Sequence, residues 1–62
     1  MPVVQIELLE GRTVEQKRNL AAKVTKALIE SIDCPADAVQ IIIRDLKREN
    51  ISKGGVLYID RD

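Results

Sequence analysis

Two apolar runs with the two-residue repeat of a β-strand flank one run with the repeat of an α-helix, and the links between them are only a few residues long. In Val3–Leu9, Val4, Ile6 and Leu8 share one face while Gln5 and Glu7 point to the other. From about Val14 to Ser31, Leu20, Val24, Ala27 and Leu28, with Ala21 beside them, form a stripe at spacings of three and four. A helix of that length spans roughly 27 Å. From Ala38 to Leu46, Val39, Ile41 and Ile43 alternate with Gln40, Ile42 and Arg44, so apolar residues occupy both faces, as in a strand inside a sheet. Strand, helix and strand joined this tightly predict a parallel pair with a right-handed crossover.

The residues between the runs agree with that order. Glu10-Gly11-Arg12 predicts a tight turn, and Thr13-Val14-Glu15-Gln16 fits a capping box with Thr13 as N-cap. Asp33-Cys34-Pro35 ends the helix, because Pro35 biases the residue before it away from helical angles. Gly54-Gly55, between Lys53 and Val56, is a two-residue hairpin signal. Lys17, Arg18, Lys23, Lys26 and Glu30 fall mostly off the apolar stripe and predict a solvated helix face.

A chain of 62 residues forms one domain, residues 1–62, and buries only about 60% of its unfolded surface. One Tyr and no Phe or Trp leave it an aliphatic core. A single cysteine excludes an internal disulfide, and with no histidine a zinc cluster is not expected either. Oligomerisation is the remaining way for so small a domain to stabilise itself. Two parallel strands and one helix cannot cover both faces of a sheet. A second copy alongside gives a four-stranded sheet with two helices on one face, and the segment Ile51–Ile59 is expected to clasp a neighbouring subunit.

Ten basic and ten acidic residues cancel. With neither a basic excess nor stacking aromatics, no nucleic-acid partner is expected. No run approaches the roughly 18 apolar residues of a membrane span, and no basic-then-apolar leader opens the chain. A free thiol without an export signal fits a reducing cytoplasm. Cys34, near Asp33 and Asp37, reads as a small structural residue.

Met1-Pro2 carries a chemical possibility. Removal of Met1 leaves Pro2 as a rigid secondary amine. An α-amino group has a reference pKa of about 7.7–8.0, and burial lowers it, so such an amine suits a general base near neutral pH. The plainer reading is a proline opening a strand, where its missing N–H is tolerated.

Pro2 with the strand behind it, Leu9-Glu10-Gly11-Arg12, Glu15-Gln16-Lys17, Pro35, the Val39–Ile43 strand and Gly54-Gly55 recur in order over essentially the whole chain. Together they resemble a short-chain member of the tautomerase superfamily, the 4-oxalocrotonate tautomerase group. The resemblance implies an α/β fold: a single β-α-β unit with parallel strands and a C-terminal hairpin, paired into dimers with a four-stranded sheet and then into a hexamer. It implies a cofactor-free, metal-free keto–enol tautomerase acting on enol or dienol forms of 2-oxo acids. In the matching positions Pro2 is the base, Arg12 binds a substrate carboxylate, and the backbone N–H of Leu9 helps hold the 2-oxygen side through ordered water.

Two positions depart from the best-known pattern. Gln40 stands where the family has a second arginine that draws electrons from the substrate, and Ile51 stands where a phenylalanine closes the apolar wall. Glutamine donates hydrogen bonds without charge, so weaker stabilisation of a dienolate follows, with a preference for monocarboxylate enols. Arg44 lies four residues along the same strand face, roughly 13 Å away and too far to substitute. The intact Pro2 and Glu10-Gly11-Arg12 favour an isomerase. Gln40, and any retention of Met1, favour instead a non-catalytic oligomeric scaffold or binding subunit of the same fold, partnered with a catalytic chain.

Overall fold

The computed structural model describes residues 1–61. β1 (Val3–Leu9) leads through a short link into α1 (Val14–Ile32), and the chain returns through β2 (Gln40–Leu46) before a small hairpin, β3 (Ser52–Lys53) and β4 (Val56–Leu57). β1 and β2 pair in parallel, with Val3 beside Gln40 and Leu9 beside Leu46, as the short links require.

α1 starts where the capping box predicts. The Thr13 hydroxyl accepts from the Gln16 N–H at 3.1 Å, and the Gln16 side chain accepts from the Thr13 N–H at 2.9 Å. The helix runs one residue past Ser31 and stops at Asp33, whose φ of 55° and ψ of 54° are left-handed. That turn ends the helix, two residues before Pro35. The half-buried line is Lys17, Leu20, Ala21, Val24, Thr25, Leu28 and Ile29. Ala27, expected within the stripe, is exposed because the packed face centres on the row 17-21-24-28 and Ala27 falls at its margin.

β2 begins two residues later than the alternation from Ala38 suggests. Ala36–Ala38 form a 3-10 turn in which the Ala38 N–H donates to Pro35 O and the Val39 N–H to Ala36 O, both at 3.1 Å. Those donors are used locally, so ladder pairing starts at Gln40, whose N–H donates to Pro2 O at 3.0 Å. Gly54 and Gly55 carry φ of 63° and 83°. Two consecutive positive values define the tight hairpin turn that matches strand twist, which is why glycine occupies both places.

The helix covers one face of the two-stranded sheet, the face of Val4, Ile6, Leu8, Ile41 and Ile43. The opposite face carries Val3, Gln5, Glu7, Ile42 and Arg44, with Arg44 Nη1 donating to Gln5 Oε1 at 3.4 Å. No described side chain is fully buried, and Val3, Val14, Ile32, Val56, Leu57 and Ile59 are exposed. No helix among the described residues is long and apolar enough to cross a membrane.

Candidate active site

The ladder sorts the candidate residues to the two ends of the sheet. Gln40 donates to Pro2 O, and the Glu10 N–H donates to Leu46 O at 2.9 Å. In an extended strand the N–H and C=O of one residue point the same way and alternate along the chain. The even residues of β1 therefore face β2, while Val3, Gln5, Glu7 and Leu9 turn their backbone groups outward to a free edge. The Leu9 N–H stands on that edge.

Pro2 is half-buried at one end, next to the exposed Gln40. With Met1 attached, its nitrogen is an amide without a basic lone pair. Leu9 lies at the other end, about 23 Å along the strand, and Arg12 follows in the link to α1. Ile51 is half-buried beyond β2, where its carbonyl accepts from the Tyr58 N–H at 2.8 Å. One chain thus brings Pro2 and Gln40 together, and separately Leu9 and Arg12, but does not join the two sets.

Arg12 is placed by the link that carries it. Gly11 adopts a φ of 116°, open to glycine and strained for other residues, and this turns the chain from β1 toward the helix. Arg12, Gln16 and Lys17 line a pocket of about 260 Å³ whose apolar part is Leu8 and Leu20. Such a pocket can hold a small molecule with an anionic end at the guanidinium and an apolar end on the leucines.

Lys17 was expected among the solvated charges of α1; the structure turns it to the packed face instead. Its Nζ lies 2.7 Å from Asp45 Oδ2, with side-chain exposures of 28% and 43%. A signal for this pair was present: Lys17 falls on the apolar row of α1, and Asp45 on the strand face of Ile41 and Ile43. A base and an acid on facing apolar surfaces are disposed to meet.

The sequence profile of the tautomerase family, described as tautomerase enzyme, matches residues 2–61. The chain belongs to the tautomerase family. Among its relatives is a 2-hydroxymuconate tautomerase of Comamonas testosteroni, 45% identical over 56 residues that cover 90% of this chain and 89% of the relative. A solved 4-oxalocrotonate tautomerase isozyme of Methylibium petroleiphilum is 45% identical, superimposes with a TM-score of 0.91, and covers 97% of this chain and 94% of its own. A 4-oxalocrotonate tautomerase of Chloroflexus aurantiacus, described as a heterohexamer, is 31% identical with a TM-score of 0.90 and full coverage of both chains. The β-α-β unit with its C-terminal hairpin is therefore this family's fold, carried here by a tautomerase relative with glutamine at position 40.

Proposed function

We propose that this protein is a cofactor-free keto–enol tautomerase of enol and dienol 2-oxo acids, working as a homohexamer in a reducing cytoplasm, with the Pro2 amine as base after removal of Met1. The observation that carries the reading is the free outer edge of β1. A second copy paired antiparallel along that edge stands its Leu9–Arg12 end about 4.8 Å, one strand spacing, from this chain's Pro2 end. The two half-sites that one chain separates then meet across the pair.

In such a site the neutral Pro2 amine takes the proton from the enol hydroxyl and returns it to carbon, so the substrate ends as its keto isomer with no net change in atoms. Arg12 of the neighbouring copy holds the carboxylate through its planar fork and, as a fixed cation, disfavours protonation of the amine. The Leu9 N–H steadies the 2-oxygen side through ordered water, Gln40 donates a hydrogen bond without charge, and Ile51 contributes apolar wall. One cationic group favours substrates with one carboxylate.

The test compares processed protein with protein that retains Met1, each verified by intact mass, on an arylenolpyruvate and on 2-hydroxymuconate. Retention of Met1 removes the base and should lower kcat/KM by about 10²–10⁴-fold, the range for a positioned general base. Pro2→Ala should also reduce the rate strongly, since its primary amine is more flexible. Processed protein that is inert on several enols would refute the assignment. The second reading would then hold: a non-catalytic subunit partnered with a catalytic chain, favoured by Gln40 and by the heterohexameric relative.

A further inference from the structure

The proposed chemistry leaves Asp45 without a task, yet it is bonded to the helix that the Arg12 link leads into. It shares the helix-side face of β2 and stands beside Leu8 in the parallel register. Its Oδ2 accepts from Lys17 Nζ at 2.7 Å, so an acid at the end of the sheet holds the first turns of α1. The next residue, Leu46, accepts from the Glu10 N–H at 2.9 Å. Two successive residues of β2 therefore grip the link that carries Arg12 on both sides. On the helix side the capping box and the Lys17 N–H, which donates to Thr13 O at 3.1 Å, tie Thr13 into the same turn.

Between these anchors stand Gly11 and Arg12. Glycine leaves a link supple, so the anchors decide where Arg12 sits. Among the described residues Arg12 forms no ion pair, whereas the Lys17 charge is committed to Asp45. A guanidinium meets a carboxylate well only in the plane of its fork, and fixing that direction beforehand lowers the ordering cost of binding. Resting on the reading of Arg12 as the carboxylate-binding residue, we infer that Lys17 and Asp45 are positioning residues for Arg12: their ion pair docks the start of α1 on the end of β2 and so sets how the guanidinium meets a substrate carboxylate.

A double-mutant cycle on the processed protein tests this, with phenylenolpyruvate as substrate and kcat and KM read separately. Asp45→Asn should raise KM about two- to fivefold, the weight of a partly exposed ion pair, with kcat held. In the Arg12→Ala background, where KM is already raised, Asp45→Asn should add nothing. The exchanged pair Lys17→Asp with Asp45→Lys should recover most of the KM lost in Asp45→Asn. Asp45→Glu, which keeps the charge, serves as the milder variant if Asp45→Asn fails to fold or assemble, and it should raise KM less. An equal rise in KM with and without Arg12 would mark the pair as merely structural and overturn the inference. So would an unchanged KM in Asp45→Asn when Arg12→Ala raises it, and in that case the proposed site itself stands. If Arg12→Ala leaves KM unchanged, the carboxylate-binding reading fails and the positioning role with it.

Discussion

Dilution of the purified protein is expected to lower its stability, because one chain carries surface that a folded monomer of its size does not. Its radius of gyration is 14.9 Å and its extents are 43 × 24 × 14 Å. A compact domain of this length has a radius of about 10.6 Å. The chain exposes 4896 Å². A folded monomer of 6.9 kDa exposes about 4,000 Å², so the surplus is about 900 Å². That is close to the roughly 800 Å² that each partner contributes to an ordinary protein interface. If six chains fold only together, each tenfold dilution removes five-sixths of RT ln 10, about 1.1 kcal/mol per chain; for a dimer the figure is about 0.7 kcal/mol, and for a monomer it vanishes. Urea unfolding followed by circular dichroism over about a hundredfold range of concentration should therefore show a loss of about 2.3 kcal/mol per chain for the hexamer. Sedimentation velocity on the same samples identifies the species. A midpoint independent of concentration, with a folded monomer in the sedimentation profile, would refute the reasoning and the inter-subunit site built on it.

Thr13→Ala removes the hydroxyl that accepts from Gln16 at the start of α1 and should cost about 1 kcal/mol in urea unfolding at fixed concentration; no change would mean that the cap is not formed in solution. Asp33→Gly should stabilise by about 0.5–1 kcal/mol, since it relieves a left-handed non-glycine residue and removes a negative charge from a helix C-terminus; destabilisation would show that the helix ends differently. Gln40→Arg should raise kcat/KM about tenfold on the dicarboxylate 2-hydroxymuconate, the gap between a neutral and a charge-assisted hydrogen bond, with little change on phenylenolpyruvate. Equal effects on both substrates would remove position 40 from the control of carboxylate number.

Much of the fold was legible because it depends on local periodicity. Val4 to Leu8 alternates, and Pro2 and Glu10-Gly11 bound the apolar run on either side, so both strand boundaries could be read from it, and Thr13 with Gln16 marks the helix start by side-chain chemistry alone. Gly54-Gly55 likewise names its own turn. The errors lie where backbone donors compete. Ala38 and Val39 continue the alternation of β2, yet their N–H groups bond back to Pro35 and Ala36, and no apolar pattern records that choice. Asp33 gives no clear sequence sign of a left-handed end, because aspartate visits that conformation only occasionally, whereas glycine does so routinely.

The sequence by itself determined the order of elements, the parallel sense of the pair and the list of candidate residues: Pro2, Leu9, Arg12, Gln40 and Ile51. The order and the sense follow from residue spacing and Pro2 from the chemistry of a terminal amine, while Leu9, Arg12, Gln40 and Ile51 follow from the resemblance to the 4-oxalocrotonate tautomerase group; none of these needs knowledge of distance. Only the tertiary structure decided how those residues are distributed. It put Pro2 and Gln40 at one end of the sheet and Leu9 and Arg12 at the other, because a seven-residue strand is rigid and extended, and no rotamer of Arg12 spans its length. It also drew Lys17 out of the solvated face to Asp45, since the parallel register sets Asp45 on the helix-side face of β2, opposite the row of α1 that carries Lys17, and the spacing within one element does not record what faces it.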